Sequence, residues 1–336
     1  MADFLPVPEM SAAALSFPDQ SLLCGAGPVV FRGLLADWDI VAKGRQAGTD
    51  AIGYLRSFAR DVPVPVMAGE AAAHGRLGYD EALTGFNFRR QRRPLPEVLD
   101  ELARLIDVVD ADTLYLGSTT VETFFPGLEA LTALHGAPTG GIKSIWLGNR
   151  TLVPAHQDLP DNLTCVAVGR RRFTLFPPEQ VDNLYIGPLD FNPAGQAISL
   201  VDVDKPDLER FPRFAEALKH ARRVSLDPGD ALFIPSMWWH QVEALDAFNV
   251  MFNYWWRQVP AYMDTPMNAL MLSMLAIRDL PARDRAVWEH VFRHYVFDAD
   301  PGKFEYIPES VRGVLGPMTR DVAARLRARL LERINR

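Results

Sequence analysis

VPAHQDLPDN, residues 153–162, sets His156 and Asp158 two positions apart in a segment that reads as the edge of a strand. A strand turns residues i and i+2 to one face, so both side chains would point into a closed β-fold. The pair alone is weak. The chain has 7 histidines, and chance alone puts one of them two positions before an aspartate in about one such chain in two. A third ligand, and a fold that brings it near, must come from the surrounding chain.

Working outward, short β-prone runs recur: TLYLG (113–117), SIWLGN (144–149), LTCVAV (163–168), RFTLFP (172–177), ALFIP (231–235) and FNVMFNYWW (248–256). Turn signals such as Gly169-Arg170 and Pro228-Gly229-Asp230 separate them. This spacing predicts an antiparallel barrel or double-sheet jelly roll over 113–258, with 178–222 as a long insertion. The third ligand is then His240, in DPGDALFIPSMWWHQVEAL (227–245), where a tight turn feeds a strand, two tryptophans and a histidine. His240 follows His156 by 84 residues, which suits a strand pair closed across the insertion. Two imidazoles and one carboxylate leave one side of an octahedral ion open, the arrangement of non-haem Fe(II) oxygenases. His74, His135, His220, His290 and His294 lack this setting and read as surface or helix residues. Trp238 and Trp239 read as core and pocket wall.

The flanks differ from this centre. Residues 1–112 read as an α/β region packing on it. PVVFRGLL (28–35) is a strand entering a turn, and VPVPVMA, near 61–67, an edge strand, since two prolines deny it ladder donors. DAIGYLRSFA (50–59) and LPEVLDELARLI (95–106) have helical spacing. Residues 259–336 read as helical. Met267, Leu270, Met271, Met274 and Leu275 form one stripe, which Ala269, Leu272, Ala276 and Ile277 extend round most of the circumference. Such a helix must be buried on several sides. Either the helices at 282–296 and 318–334 cover it, or a second subunit does; a homodimer through the C-terminal helices is the expectation.

Composition bounds the rest. Hydrophobic residues make up 48% and charged residues 23%, as in globular proteins with a sizeable core. A net charge of −7 argues against a nucleic-acid surface. Two cysteines, Cys24 and Cys165, predict no disulfide framework. The N-terminus MADFLPVPEM lacks a basic region followed by an apolar core, and the longest apolar run, MNALMLSMLAI (267–277), is about half of a ~20-residue span. A cytoplasmic protein with no membrane segment is expected.

VPAHQDLPDNLTCVAVGRRRFTLFPPEQ (153–180) and DPGDALFIPSMWWHQVEAL (227–245) resemble the Jumonji C (JmjC) cupin-like oxygenases. Within that family the chain is similar to the asparaginyl hydroxylase that inhibits hypoxia-inducible factor. The resemblance is strongest over 113–256 and looser over 28–110. It implies a mainly β fold: a double-stranded β-helix with an N-terminal α/β extension and C-terminal helices. It implies Fe(II) and 2-oxoglutarate as cofactors, with His156, Asp158 and His240 as metal ligands and catalytic centre. Tyr115 matches a tyrosine whose hydroxyl binds the cosubstrate, and Asn162 and Asn253 match two asparagines near cosubstrate and metal. The implied reaction hydroxylates a C–H bond on a protein side chain or another bulky polar substrate, releasing succinate and CO2. The rival reading is a non-catalytic, metal-binding cupin-type module that has kept the fold.

The chain departs from the family pattern at three positions. A lysine that pairs with the far carboxylate of 2-oxoglutarate falls on Arg171, and a threonine that helps it falls on Val153. A glutamine that reads an asparagine side chain falls on Gly117, which puts asparagine hydroxylation in doubt. Strand alternation sets Arg171 on one face with Phe173 and Leu175, so Arg171 is expected to be a buried cation facing an anion.

Overall fold

The computed structural model describes residues 4–12, 27–134, 137 and 141–335. Cys24 and His135 lie outside them. The chain divides into two compact units, Met1–Arg257 and Gln258–Arg336.

In the first unit the strands, in chain order, are β1 (Leu5–Pro6), β2 (Glu9–Met10), β3 (Val29–Phe31), β4 (Pro63–Gly69), β5 (Phe88–Pro94), β6 (Thr113–Thr120), β7 (Ile142–Gly148), β8 (Thr151–Gln157), β9 (Asp161–Val168), β10 (Arg171–Phe176), β11 (Arg222–Leu226), β12 (Ala231–Ile234), β13 (Trp239–Ala244) and β14 (Asn249–Trp256). They form a 5-stranded sheet, β1-β11-β10-β13-β8, and a 9-stranded sheet, β2-β3-β12-β9-β14-β7-β6-β4-β5. All pairings are antiparallel except the short β1–β11 and β2–β3 ladders. This is the expected jelly roll with added helices. Residues 1–112 contribute strands to both sheets.

The burial pattern explains why the β-runs are nearly continuous in apolar residues. The large sheet is covered on both faces, so neither face needs to be polar. On one face, Leu163 and Cys165 of β9 and Val250 and Phe252 of β14 join a core with Ile40 and Val41 of α1 (Asp39–Gln46), Ile52 and Leu55 of α2 (Gly48–Arg56) and Val98 and Leu102 of α3 (Leu95–Leu105). On the other, Val166, Leu232, Ile234 and Met251 meet Phe173, Leu175, Val224 and Val242 of the small sheet. The insertion covers the small sheet's outer face: Leu184, Val201 and Phe214, the last in α4 (Phe214–His220), pack on Ala155, Phe176 and Trp239. Cys165 is a free, buried thiol.

Two local readings are corrected. VPVPVMA is β4, and over Met67–Gly69 it is an interior strand, paired with β6 as well as β5. The missing proline donors are tolerated because Pro63 and Pro65 precede the β6 pairing and have β5 alone as neighbour. The outer edge is β5, FRRQRRP, where arginines guard a free ladder. The helix predicted over 50–59 ends at Arg56, leaving Phe58 outside it.

The second unit holds α5 (Pro266–Ala276), α6 (Ala282–Phe292) and α7 (Arg320–Ile334). Thr265 caps α5 by accepting from the Met267 N–H, and Pro266 takes the first helical position. No described residue of the three helices is buried; Met267, Leu270, Met271 and Leu275 of α5 are all exposed. The later helices therefore leave the apolar face of α5 uncovered. Among the described residues, no helix is long and apolar enough to cross a membrane.

Candidate metal centre and its pocket

His156 and His240 are cross-strand partners on β8 and β13. The register shifts between His240 and Val242, so Pro154 and Ala155 of β8 oppose Gln241 of β13 alone. This bulge lets Val153 and His156, an odd number apart, both line the same cavity. Asp158 follows just past the end of β8. One ligand atom from each of His156, Asp158 and His240 lies within 4.8 Å of the others, a group that could hold a metal ion. The His240 Nε2 stands 3.5 Å from Asp158 Oδ2, and the two imidazole centroids are 4.3 Å apart.

Each histidine is oriented from behind. His156 Nδ1 is 2.9 Å from the Pro154 carbonyl oxygen and His240 Nδ1 is 3.0 Å from that of Trp238. A proton on each Nδ1 donates to that carbonyl and leaves Nε2 free as a ligand. Burial pushes His156 down to about 4, and the neighbouring His240 adds to this, so His156 is neutral at physiological pH. Burial pushes the Asp158 carboxyl up, but the two adjoining histidines, His240 first, outweigh it and hold it below its usual value. Two imidazole nitrogens and one carboxylate are the donor set a divalent ion needs.

Beside them lies the predicted cation. Arg171 is 1% exposed, and its Nε and Nη2 have no hydrogen-bond partner among the described residues. Burial lowers its affinity for the proton, opposed by Tyr115, whose hydroxyl accepts from the guanidinium. Tyr115, of β6, lines the same cavity as the metal group, as does Phe173, two residues along β10 from Arg171. Arg172, on the opposite face, pairs with Glu243 and Asp204. Asn253 donates to Asn162 Oδ1 at 2.6 Å and to the Thr164 hydroxyl at 3.2 Å, while its own Oδ1 is buried without a partner. Six of the seven predicted site residues line this cavity, and the seventh, Arg171, lies behind its wall against Tyr115. Of the seven, six are less than a tenth exposed.

Sequence reasoning missed part of the wall. Trp146 and Trp255 line the cavity, whereas Trp239 belongs to the core on the outer face of the small sheet. Alternation within SIWLGN and FNVMFNYWW was the available signal: Ile145, Leu147 and Phe252 face the helices, so Trp146 and Trp255 must face inward. A second, outer cavity of about 360 Å³ opens on His156 and Asp158 and is closed from one side by Pro193 and Ile198 of the insertion.

Comparison with known proteins agrees with this geometry. The model of a cupin-like domain matches residues 14–262. The chain is 25% identical over 323 residues to the lysine-specific demethylase JMJ31 of Arabidopsis thaliana, covering 85% of this chain and 57% of that protein. It is 39% identical over 118 residues to HSPB1-associated protein 1 of Homo sapiens, covering 34% and 24%. It is 38% identical over 106 residues to tRNA wybutosine-synthesizing protein 5 of Gallus gallus, covering 32% and 30%. The matched region is thus less than two thirds of each relative's length. With a His-Asp-His group inside a jelly roll and a matching domain model over most of its length, the chain belongs to the cupin-like domain family, in its JmjC form.

Proposed function

We propose that the protein is an Fe(II)- and 2-oxoglutarate-dependent dioxygenase that hydroxylates a protein side chain or another bulky polar molecule. The observation that carries this reading is the conjunction of a candidate metal group with a buried cation that meets the wall of the same cavity through Tyr115. His156, Asp158 and His240 offer three ligand atoms close together, and Arg171 is a buried cation that pairs with no carboxylate among the described residues. A divalent ion answers the first, and the far carboxylate of a dicarboxylate answers the second.

His156, Asp158 and His240 would hold the iron, and Arg171 with Tyr115 would grip the distal carboxylate of 2-oxoglutarate. Asn162 and Asn253 would bind near cosubstrate and metal, with the free Asn253 Oδ1 as the open acceptor. When bound, Fe(II) and 2-oxoglutarate supply oxygen activation coupled to release of succinate and CO2. The chain's own part is to keep the His156 imidazole neutral, Asp158 ionised and the walls apolar, which limits competing reactions.

The test is succinate formation from 2-oxoglutarate with Fe(II), without added substrate, in the wild type and in Asp158→Ala and His240→Ala. Turnover is expected in the wild type alone. Wild-type metal stoichiometry and turnover in both variants would remove the ligand assignment. A wild type that binds metal and yields no succinate would support a non-catalytic metal-binding module instead.

A further inference from the structure

One edge of the large sheet carries a charge the rest of the chain does not. β5 pairs with β4 alone, and its sequence FRRQRRP sets Arg89, Arg90, Arg92 and Arg93 within five residues. The chain as a whole has a net charge of −7, so this concentration of positive charge is local. Charges more than about 8–10 Å away are largely screened at physiological salt. An approaching segment therefore meets the arginines and not the net charge.

The ladder fixes which backbone groups of β5 are free. Pro63 and Pro65 of β4 have no N–H, and the Leu95 N–H donates to the Val62 carbonyl. In the same phase, the mutually hydrogen-bonded pairs are Val64 with Arg93, Val66 with Gln91 and Ala68 with Arg89. Arg90 and Arg92 turn their N–H and C=O groups the other way, where neither meets a backbone partner among the described residues. Side chains alternate too. Phe88 packs with Leu77 and Tyr115, so Arg90 and Arg92 share that face; Arg89 and Arg93 share the other, where Arg93 pairs with Glu101 of α3 at 2.5 Å. Arg90 lies over the Phe86 and Phe88 rings and donates to the carbonyls of Asn192 and Pro193. Arg89 and Arg92 are exposed and enter no ion pair among the described residues; Arg92 donates to the Pro63 carbonyl at 3.2 Å.

Three occupants compete for such an edge. A second copy would set arginine opposite arginine, and like charges directly opposite destabilise a ladder. A nucleic acid would satisfy the arginines, but phosphate oxygens only accept and leave the Arg90 and Arg92 carbonyls unanswered. An extended acidic peptide answers both demands. Its alternate N–H and C=O groups complete the ladder, and its carboxylates meet Arg89 and Arg92 on the two faces.

We infer that β5 is a docking edge for an acidic, extended segment of a partner protein, which adds to the large sheet as a further strand. The arginines that refuse self-pairing are the ones that select the partner. Through Arg90, Asn192 and Pro193 the docked strand adjoins the outer cavity, whose wall includes Pro193. That the partner is also the substrate rests on the oxygenase reading; docking itself does not.

The test follows the fluorescence anisotropy of a labelled peptide, two repeats of Glu-Asp-Thr, titrated with the full chain in EDTA so that no metal enters the result. Three comparison probes accompany it: the same peptide with every backbone nitrogen methylated, which keeps the charges and removes the donors; a peptide with lysine in place of the acids; and a labelled oligouridine of equal charge. The acidic peptide is expected to bind saturably. Methylation is expected to weaken it at least ~10-fold, and Arg89→Glu with Arg92→Glu to do the same with circular dichroism unchanged. Should that double variant fail to fold, the methylated peptide against the wild type decides alone. Equal binding of the methylated peptide overturns the inference, as does equal or tighter binding of the oligouridine or the lysine peptide, or no binding of the acidic peptide at ~1 mM. Because EDTA removes metal, a wild type that yields no succinate leaves these outcomes untouched, and a failed titration leaves the oxygenase reading standing.

Discussion

Replacing Arg171 with methionine probes the cosubstrate site from both sides. In the folded chain its neighbours across the ladder are Leu226 and Ala244, and it is 1% exposed with two N–H groups unpaired. A guanidinium can hold a carboxylate through two parallel hydrogen bonds, where an ammonium needs a helper hydroxyl. Removing one partner of a buried charge pair costs about 3–5 kcal/mol. Since 1.4 kcal/mol is tenfold, Arg171→Met is expected to weaken 2-oxoglutarate binding by at least ~100-fold. The same substitution removes an uncompensated buried cation, so the ligand-free protein is expected to become more stable, by about 1–4 kcal/mol. Anaerobic calorimetric titration with 2-oxoglutarate and Mn(II) measures the first effect; denaturant unfolding without ligands measures the second. Arg171→Lys is expected to recover part of the affinity and Arg171→Lys with Val153→Thr more, because Val153 lines the cavity where the helper hydroxyl would stand. Unchanged 2-oxoglutarate affinity in Arg171→Met, or a larger loss in Arg172→Ala, refutes the assignment.

Lys143 donates to the carbonyls of Glu129 and Thr132, and burial lowers its pKa from 10.5 to about 8, against the opposing pull of Cys165, Glu129 and Glu122. The unfolded chain then holds more protons between these values, so wild-type stability is expected to rise relative to Lys143→Met from pH 8 to 10.5, as paired urea titrations would show; no change in the difference would contradict the burial argument. Light scattering at micromolar concentration is expected to give twice the 37.5 kDa chain mass, with Leu270→Lys plus Leu275→Asp returning it to one chain, because the apolar face of α5 is uncovered; a wild-type mass of one chain rejects the dimer. Gly169 has φ of 68° and a Cβ there would meet Asn249 Oδ1 and the Phe248 carbonyl, so Gly169→Ala is expected to cost about 1–3 kcal/mol in urea unfolding; a neutral result would mean the turn can relax.

The candidate metal group was legible because coordination demands particular residue types, and few positions outside a site tolerate a buried carboxylate beside two imidazoles. Arg171 was legible through strand alternation, since Phe173 and Leu175 declare the inner face. The register shifts at His240/Val242 and Leu116/Thr119 were not, because an extra residue leaves no compositional mark in an apolar run. The edge strand β5 was hidden for the opposite reason. Its arginines, which protect a free edge, look like a solvated loop. Trp146 and Trp255 were hidden among core residues, since a large sheet buried on both faces erases the contrast between wall and core.

His156 and His240 face each other across one ladder although 84 residues of chain separate them. Closing so long a loop carries an entropic cost that no local contact repays, and long-range antiparallel pairing is a slow step in folding. The ligand set consequently has no precursor in any short piece of the chain, unlike metal sites built within a single loop. An ion cannot template this fold from an unfolded segment; it can only recognise a sheet already closed in register. Metal uptake during refolding should therefore trail the burial of Phe173 and Val242, making the arrival of the ion a clock for the completion of topology.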